Sequence, residues 1–287
     1  MNRRTLIPLS AAVLVLAVVG GLLWWVNRSG SIPTTSKSAP SIGSCWNLDP
    51  DTAGGQAPWP GQPVDCSSAH TVEVFYLGQV DHNLIVNERR ATGREKDVNG
   101  LLMIGEARAA CTVKGQDFLG DSTRGAQVAV LPDFVAPIDD GFYVCAMAQA
   151  AGPNNDRFVA RTSTLQGQAK ALNIPCVASG ASGSLTYVPC DKPHSSEFAG
   201  LYTVTPLNAP FNSTALAAAV PAGCDKIVKA YMKLADTANR EDVSSAYVGP
   251  KTSNSWIGSD QTFACYAHTD SATSASLAGL GTRPLPH

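Results

Sequence analysis

The eight cysteines of this 287-residue chain fall into two sets of four, and this division constrains the fold more than any other feature. They are Cys45, Cys66, Cys111 and Cys145 in the first set, and Cys176, Cys190, Cys224 and Cys265 in the second. A zinc site favours close pairs such as Cys-x2-Cys, whereas the two nearest cysteines here are 14 residues apart. A catalytic thiol would leave one cysteine over, but each set is even. We therefore predict two disulfides in each set.

The two sets of cysteines belong to an internal repeat. In each set the second cysteine opens the pattern Cys-x3-His-x2-Glu, at residues 66–73 and 190–197. Further landmarks follow in the same order: a Pro, an aromatic residue, an Asp before the fourth cysteine and a Ser/Thr-Leu-x-Gly sequence. They are Pro132, Phe134, Asp140 and residues 164–167 in the first half, and Pro250, Trp256, Asp260 and residues 276–279 in the second. The shared order predicts a duplication, with units at residues 43–168 and 172–280.

The first 28 residues predict the location of the rest of the chain. Residues 6–26 carry no charge, and as a helix they would span roughly 31 Å, about the thickness of a hydrocarbon core. Trp24 and Trp25 lie at the far end, where indole rings favour the membrane interface. A cleaved signal peptide is the alternative, but its apolar core would be shorter and would end in small residues. We predict a single-pass membrane anchor at residues 1–28.

The charges around this segment predict its orientation. Arg3 and Arg4 precede the span and Arg28 follows it, so the positive-inside rule places the N-terminus in the cytoplasm and the domains outside. Residues 29–42, rich in Ser, Thr and Pro, form a flexible linker, and residues 281–287 a tail. The three arginines leave 18 of the 21 basic residues against 23 acidic ones, a net charge of −5. This acidic part is not expected to bind nucleic acid.

The expected fold class is α+β, with each unit a small curled antiparallel sheet on which one or two helices pack. Runs rich in Val, Tyr and Phe predict strands in the first unit. These strands are expected near residues 71–77, 127–131 and 142–147. Residues 84–113 contain the helical part of that unit, broken at Gly93, Gly100 and Gly105. In the second unit, Pro221 is suited to the first turn of a helix.

Four cysteines allow three pairings, and their spacing does not decide between them. Because the first and last strands of a small sheet are often neighbours, we expect the outer two cysteines of each set to pair, and likewise the inner two. The expected bridges are Cys45–Cys145, Cys66–Cys111, Cys176–Cys265 and Cys190–Cys224. Each would contribute roughly 2–4 kcal/mol by restricting the unfolded chain.

His70 and Glu73, with their counterparts His194 and Glu197, form the one repeated pattern that suggests chemistry. In a structural role, the His would bond a loop carbonyl and the Glu would orient the ring or cap an amide. In a functional role, the pair would belong to a docking surface or to a metal or acid–base site. A zinc site lacks a third ligand among the repeated His residues. Trp256 is either a core aromatic or, if exposed, an anchor for a partner.

The sequence contains none of four motifs that are typical of known enzyme classes. There is no Gly-x-Ser-x-Gly elbow, no zinc-protease helix, no Ser-x-x-Lys with Lys-Thr-Gly and no phosphate loop. Asp140 and Asp260 suit turns that precede a strand. We therefore assign no catalytic residue, no metal and no cofactor, and we expect a protein that is not an enzyme.

The order of these residues resembles the septum-formation domain found in membrane proteins of actinobacteria. That family has an early Gly-x-Cys, a Cys followed by Pro-His and Glu, a helix with a third Cys, a Pro with a following Trp, and an acid before a final Cys. The matches here are Gly43, Cys45, Cys190, Pro193, His194, Glu197, Pro250, Trp256, Asp260 and Cys265. The resemblance covers residues 43–280 as two copies, although Ala69 and Phe134 replace the Pro and the Trp in the first copy. It implies an envelope protein linked to cell division or wall growth.

We therefore expect a membrane-anchored, extracytoplasmic binding or structural protein of the cell envelope. Its expected partners are the membrane, through one span, and other envelope or divisome proteins or cell-wall components. The candidate binding residues are His70, Glu73, His194, Glu197 and Trp256. The alternative is an envelope hydrolase or metal-dependent enzyme that uses the His/Glu pairs.

Overall fold

The computed structural model describes residues 39–174, 176–180, 183–206, 209–257 and 261–286, apart from the side chains of Asp139, Asn254 and Ile257. Two antiparallel sheets with helices packed on them confirm the predicted α+β class. None of the described helices is both long and apolar enough to cross a membrane. The predicted anchor at residues 1–28 lies outside the described residues.

The first sheet has four strands in the order β1-β2-β4-β3. They are β1 Cys45–Trp46, β2 Val72–Gln79, β3 Val128–Phe134 and β4 Phe142–Gln149. The last three lie where the sequence predicted strands. β4 is central and almost wholly buried, because its residues from Tyr143 to Ala148 face helices on one side and loops on the other. Asp140 lies in the 3₁₀ turn between β3 and β4, which confirms the predicted turn.

Three helices accompany this sheet: α1 Pro50–Ala53, α2 His82–Arg90 and α3 Arg94–Leu119. The predicted break at Gly93 is confirmed, because Gly93 is the N-cap of α3. The predicted breaks at Gly100 and Gly105 are wrong, since α3 continues through both. Its residues against the sheet recur every four positions and bury a continuous stripe, which outweighs the cost of about 1 kcal/mol for each glycine. The stripe consists of Met103, Ala107, Cys111, Gly115 and Leu119.

The second sheet has five strands in the order β6-β5-β7-β9-β8. They are β5 Cys176–Ser179, β6 Leu185–Val188, β7 His194–Thr203, β8 Ser244–Val248 and β9 Thr262–Thr273. Its pairing repeats the register of the first sheet, because Cys176 lies opposite Glu197 as Cys45 lies opposite Glu73. Shortly after each Glu, the register to the next strand shifts at a bulge. Each predicted unit therefore contains one of the two sheets.

Two helices accompany the second sheet, α4 Ser213–Met232 and α5 Ser253–Ile257. The prediction that Pro221 begins a helix is wrong, because α4 begins eight residues earlier and contains Pro221 in its interior. The side chain of Asn212 caps the helix by accepting a hydrogen bond from the amide of Ala215 at 2.9 Å. The alanine-rich stretch that follows has high helix propensity, and it extends α4 up to the proline.

All eight cysteines form disulfides, as predicted, but the expected pairings are wrong. The bridges are Cys45–Cys66, Cys111–Cys145, Cys176–Cys190 and Cys224–Cys265. The expectation fails because the first and last strands of each cysteine set are not neighbours. β2 lies between β1 and β4, and β7 lies between β5 and β9. The first bridge of each half instead joins β1 or β5 to the loop before the His, and the second joins the long helix to β4 or β9.

The two halves are in direct contact. The main-chain amide of Tyr187 donates a hydrogen bond to the carbonyl of Ala151 at 2.8 Å. The guanidinium group of Arg124 donates to the hydroxyl of Thr262 at 3.2 Å. These contacts are consistent with one compact unit from Ser38 to His287.

Removal of the Cys224–Cys265 bridge by a double substitution to Ala should lower the free energy of unfolding by about 4 kcal/mol, because the bridge closes a sequence separation of 41 residues. The matched variant without Cys176–Cys190, whose separation is 14 residues, should lose about 1 kcal/mol less. Urea denaturation of the full chain measures both losses. A peptide map of the unreduced chain that joins Cys176 to Cys265 would contradict these bridges.

Candidate functional site

His70 and Glu73 lie in the interior beside the Cys45–Cys66 bridge. His70 lies two residues before β2 and exchanges two main-chain hydrogen bonds with Arg161, each 2.8 Å long. Glu73 lies within β2, opposite Cys45 on β1. The His side chain is fully buried and Glu73 is 4% exposed. Backbone pairing on both sides of the site therefore fixes the two side chains inside the protein.

Each polar atom of this pair has a partner within the chain. Nδ1 of His70 donates to the carbonyl of Ser68 at 2.9 Å, since a carbonyl oxygen can only accept. Nε2 lies 3.2 Å from Oε1 of Glu73. That carboxylate also accepts from the amide of Leu165 at 2.7 Å and from the hydroxyl of Thr164 at 2.6 Å. Glu73 therefore holds a loop that lies 92 residues further along the chain.

The second half contains the same arrangement. Nδ1 of His194 donates to the carbonyl of Lys192 at 2.7 Å, and Nε2 lies 2.9 Å from Oε1 of Glu197. The carboxylate accepts from the amide of Leu277 at 2.7 Å and from the hydroxyl of Ser276 at 2.9 Å. The two Ser/Thr-Leu-x-Gly sequences matched in the repeat thus occupy equivalent places.

Tyr231 also belongs to this site, although the sequence analysis did not identify it as a site residue. Its hydroxyl donates to Oε2 of Glu197 at 2.6 Å. Burial, and then the hydrogen bond to Glu197, raise the pKa of Tyr231 to about 12, so the phenol remains a donor at neutral pH. Phe118 holds the equivalent place in the first half, seven residues after the third cysteine, and has no hydroxyl. Comparison of the two helices from that cysteine onward could have revealed this difference.

The arrangement also brings together possible metal ligands. The two groups are Cys45 with His70 and Glu73, and Cys176 with His194 and Glu197. Within each group the ligand atoms lie within 4.8 Å of one another. Zinc binds thiolates, however, and both sulfurs are held in disulfides. In this oxidised form, the geometry favours a structural role, in which a buried carboxylate and an imidazole satisfy each other and fix distant loops.

Trp256 is in the core and not on the surface. It is 3% exposed, and its indole N–H donates to the carbonyl of Ala209 at 2.7 Å. It packs edge-on against Phe211 and in the cluster that includes the Cys224–Cys265 bridge. Of its two predicted roles, the position matches that of a core aromatic. Asp260, its predicted neighbour in the repeat, lies outside the described residues.

Asp133 is a buried acid that no sequence pattern identified. It lies in β3, is 5% exposed, and accepts a hydrogen bond from the indole N–H of Trp59 at 3.1 Å. Burial raises the pKa of Asp133 to about 8, although the hydrogen bond from Trp59 lowers it by a smaller amount. Between pH 3.8 and about 8, the carboxyl group of Asp133 therefore keeps its proton in the folded protein but is ionised in the unfolded chain.

These features define an α+β protein with two antiparallel sheets, each with a buried His/Glu pair and two disulfides. The family model described as "Septum formation" matches residues 42–265, so the chain belongs to that family. Its description indicates a role in cell division or the cell envelope. No curated protein and no solved structure matches the chain.

The substitution Glu197→Gln should lower the free energy of unfolding by about 2–4 kcal/mol, because an amide nitrogen would face groups that donate to this site. Urea denaturation measures the loss, and hydrogen exchange at the amide of Leu277 should become faster. Tyr231→Phe is the matched control. It removes one donor, as Phe118 does naturally, and should cost about 1 kcal/mol. Unchanged stability and unchanged exchange in Glu197→Gln would contradict the assigned role.

Asp133 should lower the free energy of unfolding as the pH rises from about 4 to about 8. The pKa of its carboxyl is raised from 3.8 to about 8 in the folded state, so this group favours folding below pH 4 and progressively less above it. Asp133→Asn should remove this contribution, on the order of a few kcal/mol. Denaturation at pH 5 and pH 8 measures it, with the exposed Asp156→Asn as control. An equal pH dependence in Asp133→Asn and the unmodified protein would contradict the prediction.

Proposed function

We propose that this protein is a membrane-anchored, extracytoplasmic binding or structural protein of the cell envelope that takes part in septum formation or wall growth. The observation that carries the proposal is the burial of both His/Glu pairs within a chain of the Septum formation family. Because these side chains are buried and hydrogen-bonded within the chain, they support the role of a scaffold. The outer surface of this scaffold contacts the partners, namely other envelope or divisome proteins or cell-wall components.

The proposed location has two supports. Residues 6–26 are long enough and apolar enough to span a bilayer, with Arg3 and Arg4 on the cytoplasmic side. The four disulfides are typical of proteins outside the reducing cytoplasm.

We further infer that the two halves are tandem copies of one domain, near residues 43–168 and 172–280. The support is the repetition of detail between them. Both sheets have the same register at the Cys and the Glu. Both carboxylates contact Nε2 of a His and accept from a Leu amide and a Ser or Thr hydroxyl. Both long helices are joined through a buried disulfide to the strand that pairs with the Glu-bearing strand, β4 or β9.

The alternative function, an envelope hydrolase or metal-dependent enzyme, has less support. General acid–base catalysis requires a group within hydrogen-bond reach of a substrate. His70 and His194 are 0% and 1% exposed, and both of their ring nitrogens are bonded within the chain. This arrangement favours the role of a binding or structural protein.

Photo-crosslinking in intact cells tests the main proposal. A crosslinking residue at Val113, which is 57% exposed on α3, and another at Tyr247, which is 37% exposed on β8, sample one surface of each half. We expect at least one position to capture a divisome protein, an envelope protein or a wall fragment, identified by mass spectrometry. The exposed loop residue Asp156 is the matched control position and should capture less. Comparison of Val113 with Tyr247 shows whether both halves bind.

Deletion of the gene gives the second measurement for this proposal. We expect misplaced or thickened septa, restored by the full chain and not by a chain without residues 6–26. Normal septa after deletion, together with no captured envelope partner, would refute the proposal.

Metal analysis tests the alternative. The full chain purified without reductant should contain no stoichiometric metal, and His70→Ala and His194→Ala should leave crosslinking to partners unchanged if the variants fold. A bound metal that both variants lose, together with a hydrolytic activity that disappears with it, would favour the enzyme.

A further inference from the structure

We propose that the bridges Cys45–Cys66 and Cys176–Cys190 each cover a latent zinc site, which forms when a dithiol reduces the bridge. The ligands of the first site are the two cysteine sulfurs, Nε2 of His70 and a carboxylate oxygen of Glu73. The second site uses the two cysteine sulfurs, His194 and Glu197 in the same way. This inference goes beyond the proposed function and does not depend on it.

The spacing of the ligand atoms carries the proposal. Ligands of a tetrahedral zinc ion are roughly 3.3–3.8 Å apart, given bond lengths of about 2.0–2.3 Å. The N···O separations are 3.2 Å for His70 and Glu73, and 2.9 Å for His194 and Glu197. The sulfur of Cys45 or Cys176 lies within 4.8 Å of a ring nitrogen of the His and of a carboxylate oxygen of the Glu. When the bridge opens, its second sulfur is released beside them, which completes a set of four.

Both sites already contain the outer hydrogen bonds that zinc ligands need. A zinc-bound His usually donates its other N–H to a carbonyl or a carboxylate, which fixes the ring. Nδ1 of His70 and of His194 makes such a bond to a main-chain carbonyl, and Nε2 faces the carboxylate of the same site. The amides of Leu165 and Leu277 hold the carboxylates in the same manner.

The exposure of the sulfurs makes reduction selective. Cys66 and Cys190 are half-buried, so a reductant can reach one sulfur of each proposed site. The other two bridges are fully buried, with 0% exposure at all four of their cysteines. A dithiol should therefore open the first bridge of each half and leave the helix-to-sheet bridge intact, which preserves the core.

The reaction is a thiol–disulfide exchange followed by metal binding. A thiolate of the dithiol attacks Sγ of Cys66, the bond between Cys45 and Cys66 breaks, and Cys45 leaves as a thiolate. The second thiol then resolves the mixed disulfide, so the dithiol is oxidised by two electrons and the bridge is reduced by two. Zinc displaces the two thiol protons and is also bound by Nε2 of His70 and a carboxylate oxygen of Glu73. The occupied site then has two thiolates, one carboxylate and a net charge of −1.

Cobalt binding to the full chain tests the proposal, with Co²⁺ as the probe because its spectrum reports geometry and sulfur ligands. The chain is treated with dithiothreitol, freed of it without air, and titrated with Co²⁺. We expect two ions per chain, with the d–d bands of tetrahedral cobalt and a thiolate-to-cobalt charge-transfer band. Zn²⁺ should displace the cobalt. The untreated chain should give neither band.

Two variants distinguish the proposed sites from binding by loose thiols. His70→Gln should weaken binding at the first site at least about tenfold and leave the second unchanged, so each chain contains its own control. His268→Gln is the matched control, because its ring bonds to Ser196 outside both clusters, and it should bind as the unmodified chain does. X-ray absorption of the zinc-loaded unmodified chain, with two S and two N/O ligands expected, gives an answer even if His70→Gln does not fold.

Three results would overturn the proposal: a reduced chain that binds no cobalt, one that binds it equally well without His70 and His194, or one that unfolds and is not restored by zinc. A fourth contrary result would be reduction of Cys111–Cys145 as fast as Cys45–Cys66. None of these outcomes bears on the crosslinking and deletion tests of the proposed function, so the two can fail separately.

Discussion

The described fold depends on two buried carboxylates, those of Glu73 and Glu197. Each joins three separate parts of the chain: its own strand, the disulfide-tied loop that presents the His, and a loop roughly 80–90 residues away. A buried carboxylate without hydrogen-bond donors would be strongly destabilising. Here Glu73 accepts from one amide and one hydroxyl, and Glu197 from one amide and two hydroxyls. The position of the distant loop is therefore decided by a single charged side chain.

The two disulfides of each half have different structural roles. The buried bridges Cys111–Cys145 and Cys224–Cys265 fix the long helix of each half to β4 or β9. The half-exposed bridges fix β1 or β5 to the loop before the His, next to the carboxylate. One bridge of each half thus maintains the core, and the other maintains the surroundings of the buried pair. This division is the basis for treating the half-exposed bridges as chemically separate.

Local patterns predicted the strands and turns, because the residues that decide them are neighbours in the chain. The repeat also matched Thr164 with Ser276, and both prove to bond the equivalent Glu. The cysteine pairing could not be predicted, since it depends on strand order across a sheet. The prediction from Pro221 was wrong because the Asn212 cap and a run of alanines determine where the helix begins.

The buried position of Asp133 could not be predicted for a related reason. Alternation along a strand does not distinguish an acid that meets an indole N–H from one that meets water, and the partner, Trp59, is 74 residues away. The role of Tyr231 could have been predicted from the sequence, because its hydroxyl is the one group that distinguishes two otherwise equivalent carboxylate sites.

The distance between Glu197 and Leu277 has a consequence for biosynthesis. Leu277 lies 80 residues after Glu197, so Glu197 is made long before its main-chain partner exists. The first half meets its own requirement once residue 165 has been made. A ribosome that stops between residues 232 and 276 would therefore release a product whose first carboxylate has all its donors and whose second lacks the amide of Leu277. In that product the buried Glu197 would depend on His194 and Tyr231.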